Sequence, residues 1–179
     1  TRFIEGKLFL KVNREKTVVS NIRGVKFLGY SFYVMKGQCL LTVHPKSKIK
    51  LKSKLKELTS RSNGYGYEIR KQKLKNYIME WVAYFHLAQI KRLCTETDEW
   101  LRRRIRMCIW KSWKNVKTRV SNLKKCGALA WQAYQWGNTR LGYWRVANSR
   151  LVTSAMSNDK LRRAGYVGLM DCYLKWCPK

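Results

Sequence analysis

The spacing of apolar residues divides the chain into a short N-terminal part with strand-like patterns and a longer part with helical ones. Residues 8–12, 25–34 and 39–43 are rich in Val, Phe, Tyr and Leu, and glycine-containing stretches separate them. This is typical of short antiparallel strands, with a hairpin turn at Lys36-Gly37. Beyond residue 44 apolar residues recur at steps of three and four, which indicates amphipathic helices.

Three helices are predicted between residues 44 and 117. Pro45 suits the first turn of the first helix, whose apolar stripe is Leu51, Leu55 and Leu58. The second stripe consists of Leu74, Tyr77, Ile78, Trp81, Val82 and Phe85. The third helix is predicted over residues 97–114, with Thr97 as N-cap and Asp98 and Glu99 in its first turn. Its apolar stripe consists of Trp100, Leu101, Ile105, Cys108, Ile109 and Trp113.

Shorter elements follow residue 117. Helices are predicted over residues 128–136, 144–156, 158–164 and 169–176, with Ser157 as an N-cap and Gly165 just beyond the end of the third. The predicted fold class is therefore mainly α: an N-terminal antiparallel β-hairpin region, a helical bundle and a small helical C-terminal domain. The predicted boundaries are residues 1–43, 44–117 and 118–179.

The charge of the chain points to a polyanionic partner. The 179 residues include 39 Lys and Arg against ten Asp and Glu, a net charge of +29. Phosphate backbones reward such charge through counterion release. The cations are interleaved with 8 Trp and 10 Tyr, a mixture that suits phosphate contact together with stacking on bases. A hydrophobic content of 45% is enough for a core, which excludes a disordered tail.

The sequence disfavours several other classes of protein. No apolar run approaches the roughly 18 residues of a membrane span, and no signal-peptide pattern opens the chain. The six cysteines form no CxxC pair, so reduced intracellular thiols are expected. Asp98 and Glu99 are the adjacent acids and suit a helix start, while His44 and His86 are isolated. No catalytic or metal-binding residue is predicted in this chain. The start without Met suggests a fragment.

One hairpin carries a more specific signal. Residues 10–19 and 25–34 resemble the last two blocks of the reverse-transcriptase palm in group II intron-encoded proteins. In that family a Phe-Leu-Gly-Tyr/Phe box forms the primer grip, which the resemblance assigns here to Phe27, Leu28, Gly29 and Tyr30. A glycine in such a hairpin lets backbone approach a primer strand. An ordinary hairpin with a bulge glycine is the alternative.

The three helices predicted between residues 44 and 117 resemble the thumb, or domain X, of group II intron maturases, and the second and third carry the motif. The family pattern is Leu-x-x-x-Trp-x-x-Tyr-Phe, then Asp-x-Trp-x-Arg-Arg, ending in Trp-Lys-x-Trp-Lys. Glu80 stands where the family commonly has Gly. The matching positions are Ile78 in the Leu position, Trp81, Tyr84, Phe85, Asp98, Trp100, Arg102, Arg103, Arg106, Trp110, Lys111, Trp113 and Lys114.

Residues 140–175 resemble the DNA-binding segment of the compact bacterial class, which lacks an endonuclease domain. The expected DNA contacts are Arg140, Tyr143, Trp144, Arg145, Arg150, Lys160, Arg162 and Arg163. The expected contacts to RNA or duplex in the thumb are Lys46, Lys48, Lys50, Lys52, Lys54, Arg102, Arg103, Arg106, Lys111 and Lys114. A solvated basic face on a helical core is the alternative for each of these residues.

The resemblance implies a C-terminal part of a reverse transcriptase/maturase: palm end, thumb and DNA-binding segment. Its expected partners are group II intron RNA, a template-primer duplex and target DNA in intron mobility, in a bacterial cytoplasmic ribonucleoprotein. RNA-directed DNA polymerase activity and its Mg²⁺ would belong to an Asp-Asp box located before Thr1, so this chain is not expected to be catalytic alone. A stand-alone RNA-binding scaffold protein is the rival interpretation, and a membrane-active cationic protein a weaker one.

Overall fold

The computed structural model describes residues 2–13, 21–22 and 25–176. The chain is mainly helical, with a small N-terminal antiparallel sheet, as predicted. The first element is a helix, α1 (Arg2–Lys7). The strand predicted over residues 8–12 is wrong, because residues 9–13 have no regular structure. The side chain of Phe9 is 88% exposed, and the sheet in the described chain contains only later residues, so this apolar segment has no strand to pair with.

Three strands form the sheet in the order β1-β2-β3: β1 (Lys26–Phe27), β2 (Tyr30–Met35) and β3 (Gln38–Val43). Met35 pairs with Gln38, so the connection is the predicted two-residue turn. Lys36 and Gly37 both have positive φ, 52° and 76°, as the type I′ turn of a hairpin requires. Met35 and Gln38 fix the register, which pairs Tyr30 with Val43 at the other end.

The three central helices are α2 (Pro45–Leu58), α3 (Tyr67–Phe85) and α4 (Lys91–Ser112). Pro45 lies in the first turn of α2, and the His44 side chain accepts a hydrogen bond from the Lys46 amide. The start predicted for α4 is wrong. The helix begins six residues earlier, and Thr97 and Asp98 are buried in its interior. Buried Cys94 extends the apolar stripe backwards, and this burial outweighs the capping preference of Thr97.

Six shorter helices follow: α5 (Val116–Lys125), α6 (Ala130–Gly137), α7 (Tyr143–Val146), α8 (Arg150–Ala155), α9 (Asn158–Arg163) and α10 (Leu169–Trp176). Helix α5 was not predicted. The helix predicted over residues 144–156 is two helices, because Ser149 ends the first stretch and caps α8 through the Val152 amide. The predicted cap at Ser157 is confirmed by its bond from the Lys160 amide.

Two hydrophobic cores hold the helices together. The first joins α2, α3 and α4 to α9 and α10, and includes Leu51, Ile78, Leu101 and Leu169. The second surrounds Trp110 at the end of α4 and contains apolar residues of α5 to α8. Residues of the predicted units 44–117 and 118–179 therefore share both cores, and α10 packs directly on α3 and α4.

Two further features concern the described chain as a whole. Its cysteines Cys39, Cys94, Cys108, Cys126 and Cys172 are free thiols. Burial raises the pKa of Cys94 to about 12. None of the helices within the described ranges is both long enough and apolar enough to cross a membrane.

Candidate nucleic-acid interface

The β1–β2 hairpin holds the predicted primer-grip box at its tip. Phe27 pairs with Tyr30, and Leu28 and Gly29 form the turn with φ of 49° and 83°. The side chains of Phe27 and Leu28 are 62% and 64% exposed. Two large apolar side chains thus project from this tip, whereas Tyr30 is half-buried.

Hydrogen bonds from backbone and side-chain donors hold the tip against α2 and α3. The Gly29 carbonyl accepts from the His44 amide at 2.9 Å and from Ser47 Oγ at 3.1 Å. Tyr84 Oη donates to the Leu28 carbonyl at 2.8 Å, and the Tyr30 hydroxyl donates to the Tyr84 carbonyl. Burial, followed by the nearby Tyr84, raises the pKa of Tyr30, so this phenol keeps its donor proton. The hairpin tip is fixed to the helices.

Helix α2 carries lysines at every second position from Lys46 to Lys54, so at about 3.6 residues per turn they spread over the surface that its buried leucines leave free. We call this set of lysines the lysine face. Leu51, Leu55 and Leu58 are buried in the core. Lys54 Nζ is paired with Glu57 at 2.8 Å. Lys48 is half-buried, and the remaining members are exposed: Lys46, Lys50, Lys52 and Lys54.

A concave surface lies between the lysine face and the start of α4, and we call it the α2–α4 groove. The exposed side chain of Ile49 and the cations Lys52 and Arg92 lie along it. Arg92 Nε is 2.7 Å from Glu96 Oε1. The lining residues are Pro45, Lys48, Ile49, Lys52, Gln89, Arg92, Leu93 and Glu96. The lining combines apolar side chains with three cations, Lys48, Lys52 and Arg92, and one acid, Glu96.

The α4 arginines predicted to bind RNA are largely engaged within the protein. Arg106 is only 6% exposed, and its guanidinium donates to the Met156 carbonyl at 2.9 Å and to Asn158 Oδ1 at 2.8 Å. Burial, then the nearby Arg102, lowers its pKa. The prediction that Arg106 contacts RNA is therefore corrected, because this side chain joins α4 to the α8–α9 segment. Lys111 and Lys114 are exposed.

Arg102 and Arg103 are half-buried. Arg102 Nη2 lies 4.0 Å from Asp98 Oδ2. Arg103 donates to the Trp144 carbonyl from Nε at 3.2 Å and from Nη2 at 2.9 Å. These contacts give both arginines a structural role beside any contact with nucleic acid.

Arg104 was not singled out from the sequence. It donates from Nε to Thr59 Oγ1 at 2.6 Å and from Nη2 to the carbonyls of Lys56 and Thr59, both at 3.1 Å. These carbonyls lie at the C-terminal end of α2, which has backbone acceptors without intrahelical donors. A contact with the end of another helix leaves no spacing signal in the sequence.

Asp98 is buried inside α4 and caps a different helix, α10. Its Oδ1 accepts from the Leu169 amide at 2.7 Å and its Oδ2 from the Met170 amide at 3.0 Å. Burial raises the pKa of Asp98, although these two amides and Arg102 lower it in part. Asp98 thus connects α4 to the first turn of α10.

The predicted DNA contacts have mixed environments. Tyr143 is half-buried and Trp144 is 38% exposed. Lys160 Nζ donates to the Cys126 carbonyl at 2.6 Å, and Arg162 is paired with Asp171 at 3.0 Å and with Asp159 at 3.5 Å. Lys160 and Arg162 are therefore partly engaged in contacts within the protein. The exposed members without such a role are Arg140, Arg145, Arg150 and Arg163.

Acidic residues are absent from one long stretch of the sequence. No Asp or Glu occurs between Glu99 and Asp159, a range that includes α5 to α8. These 59 residues, a third of the chain, contribute cations and no anions to the surface, which attracts polyanions over a Debye length of about 10 Å at 0.1 M salt. Within the described ranges, no three His, Cys, Asp or Glu side chains lie close enough to hold a metal ion.

The comparison with known families agrees with this geometry. Residues 49–127 match the family model described as "Group II intron, maturase-specific domain". The match includes most of α2, the whole of α3, α4 and α5, and the α2–α4 groove in large part. No curated protein matches the chain. A maturase-specific domain acts in the splicing of group II introns and implies binding to intron RNA. The chain thus contains a group II intron maturase-specific domain at residues 49–127, and this match supports a C-terminal region of a group II intron maturase.

Proposed function

We propose that the chain binds folded group II intron RNA through the lysine face and the α2–α4 groove, and thereby stabilises the splicing-competent fold of the RNA. The observation that carries the proposal is the lysine face itself. Its exposed cations lie on a helix that Leu51, Leu55 and Leu58 lock into the core. A rigid cationic face of this kind recognises the shape and backbone of structured RNA without reading a sequence.

Salt dependence tests this proposal. Each phosphate contact contributes about 0.7 to 0.9 to the slope of log K against log salt. Replacing Lys46, Lys50 and Lys52 together by Gln is expected to reduce that slope by about 2 and to weaken binding at low salt most. The measurement is fluorescence anisotropy with a transcribed intron RNA over a range of salt concentrations.

A matched control lies on α3, outside the lysine face and the α2–α4 groove. Lys71 and Glu68 form an ion pair, so the double variant Lys71→Gln, Glu68→Gln leaves the net charge unchanged. It is expected to keep the wild-type slope. If the triple lysine variant also kept the wild-type slope, the lysine face would not be the phosphate-binding surface.

The hairpin tip supports a second candidate function, a grip on a template-primer duplex. The supporting observation is that Phe27 and Leu28 are exposed on a tip that hydrogen bonds hold in place. Replacing both by Ser is expected to reduce affinity for an RNA-DNA primer-template several-fold while leaving intron RNA binding unchanged. Equal loss for both ligands would contradict a specific primer-grip role.

Binding of target DNA is the third part of the proposal, and the exposed cations Arg140, Arg150 and Arg163 support it. Their joint replacement by Gln is expected to weaken binding to duplex DNA more than binding to intron RNA. Reverse transcription with Mg²⁺ and residence in a cytoplasmic ribonucleoprotein belong to the same proposal for the whole protein. If the chain bound intron RNA but showed no affinity for template-primer or DNA, the RNA-binding scaffold would be the better description.

A further inference from the structure

A separate concave site lies where α7 packs against the middle of α4, and we call it the junction pocket. Its volume is about 460 Å³, and its lining residues are Arg61, Met107, Gly142, Tyr143, Trp144 and Arg145. Tyr143 and the buried Ala147 pack on Met107 and Cys108 of α4. The pocket is thus formed jointly by the maturase-specific domain and by the segment that follows it.

Arginine side chains hold the two aromatic rings of the pocket. The guanidinium carbon of Arg103 lies 3.8 Å from the centroid of the Trp144 ring, and the same guanidinium donates twice to the Trp144 carbonyl. The guanidinium carbon of Arg61 lies 5.0 Å from the Tyr143 ring centroid. Because these contacts fix ring positions before any ligand binds, little rotamer freedom is lost on binding.

The chemistry of the lining suits a nucleotide. Aromatic side chains stack with the flat face of any base, and guanidinium groups bind phosphate through planar donor pairs. The lining contains two aromatic rings, two arginines and no acid. A base inside a double helix is already stacked and cannot enter such a pocket, whereas an unpaired base can be turned outwards into it.

We propose that the junction pocket binds one unpaired nucleotide of RNA, with its base against the wall formed by Tyr143 and Trp144 and its phosphate on Arg61 and Arg145. The choice of RNA rests on the proposed function, because Arg61 and Met107 lie within the matched range 49–127. The assignment differs from the sequence-based expectation that Tyr143, Trp144 and Arg145 contact DNA.

The test compares four hairpin probes of one sequence. The first is an RNA with a single bulged nucleotide, the second the fully paired RNA, and the third the RNA with an abasic bulge. The fourth is the bulged hairpin made of DNA. The abasic probe keeps the backbone distortion but removes the base. Stacking of one base on an aromatic side chain contributes enough affinity that the chain is expected to bind the bulged RNA about tenfold more tightly than the paired or abasic RNA.

Variants then locate the site. Trp144→Ala is expected to abolish the preference for the bulged RNA while changing affinity for the paired RNA less than about twofold. Trp131 is 64% exposed and lies outside the pocket, so Trp131→Ala is the matched control and is expected to keep the preference. If Trp144→Ala did not fold, Arg61→Gln and Arg145→Gln would test the phosphate contacts, since both side chains are exposed.

The outcomes separate this proposal from the general one. Equal binding of bulged and paired RNA by the wild-type chain overturns the junction pocket while the RNA-binding function stands. Loss of all RNA binding in the wild-type chain overturns the proposed function as well. If the wild-type chain binds the bulged DNA as tightly as the bulged RNA, the assignment to RNA is overturned. If the preference for bulged over paired RNA survives Trp144→Ala, Arg61→Gln and Arg145→Gln, the nucleotide binds elsewhere.

Discussion

At the scale of single residues, buried charges in this protein serve to join helices. Asp98 accepts two amide hydrogen bonds from the first turn of α10, and Arg106 donates to groups of the α8–α9 segment. Each is a polar group that is buried and satisfied, and removing one partner leaves the other without its bond. Charges of this kind contribute mainly by positioning elements.

Asp98→Ala is expected to reduce the free energy of unfolding by about 2 kcal/mol, because two amides lose their acceptor. Urea denaturation followed by circular dichroism measures the change. Glu99→Ala is the matched control, since the neighbouring acid is exposed, and its effect is expected within about 0.5 kcal/mol. Equal effects of the two variants would show that the Asp98 cap is unimportant.

The raised pKa of Asp98 predicts a pH dependence. The unfolded chain releases this proton near the ordinary value of 3.8, whereas the folded protein holds it to higher pH. The folded state therefore binds more protons in that window, and the stability contributed by Asp98 decreases as pH rises through it. Relative to Asp98→Asn, the wild-type protein is expected to lose stability from about pH 4 upwards and then to level off. A difference that grew in favour of the wild type would contradict a raised pKa.

At the scale of elements, the β1–β2 hairpin depends on a close approach to the helices. A methyl group at Gly29 would lie 3.0 Å from Ser47 Oγ and 3.2 Å from Phe85 Cζ, and φ at Gly29 is +83°. Gly37, in the other turn, has a similar φ of +76° but nothing within 4 Å. The two positions therefore separate backbone strain from steric contact.

Gly37→Ala is expected to cost about 1 kcal/mol from backbone strain, and Gly29→Ala distinctly more, because packing against α2 and α3 is added. Thermal denaturation of both variants measures the difference. If Gly29→Ala were no more destabilised than Gly37→Ala, the hairpin would not be held against the helices as the hydrogen bonds of Gly29 indicate.

The elements also show what the sequence could predict. Apolar spacing predicted α2 and α3, because Leu51, Leu55 and Leu58 and their counterparts in α3 form clear stripes. It placed the start of α4 wrongly, since Thr97 and Asp98 are typical of helix starts but are buried by tertiary contacts. For the candidate site, it predicted the exposed lysines of α2. It could not predict that Arg103 and Arg106 contact carbonyls about 40 to 50 residues away, because such contacts have no local pattern.

At the scale of the whole molecule, α10 completes the core of the maturase-specific domain. Leu169 is fully buried and belongs to the same cluster as Ile78 and Leu101, although it lies beyond the range 49–127. The maturase-specific domain and the segment after it therefore share one core, and we expect them to unfold together. A variant that weakens α10 is expected to weaken the RNA-binding part as well.

Leu169→Ala is expected to cost about 2 to 5 kcal/mol, the range for a fully buried leucine. It is also expected to lower intron RNA binding at temperatures where part of the population is unfolded. Leu174 in the same helix is 45% exposed, so Leu174→Ala is the control and is expected to cost less than about 1 kcal/mol. Denaturation and RNA binding are measured on the same samples. Full RNA affinity in an unfolded Leu169→Ala sample would contradict this coupling.

The hydrogen bond between Asp98 and the Leu169 amide also has a kinetic consequence. The two residues are 71 positions apart, whereas helices such as α3 and α4 are built from local contacts. Local helices form within about a microsecond, but contacts across a long loop first require its closure. We expect α10 to dock late in folding, after α2, α3 and α4 have come together. The last step in forming the core of the maturase-specific domain would then be the docking of a helix that lies outside that domain in the sequence.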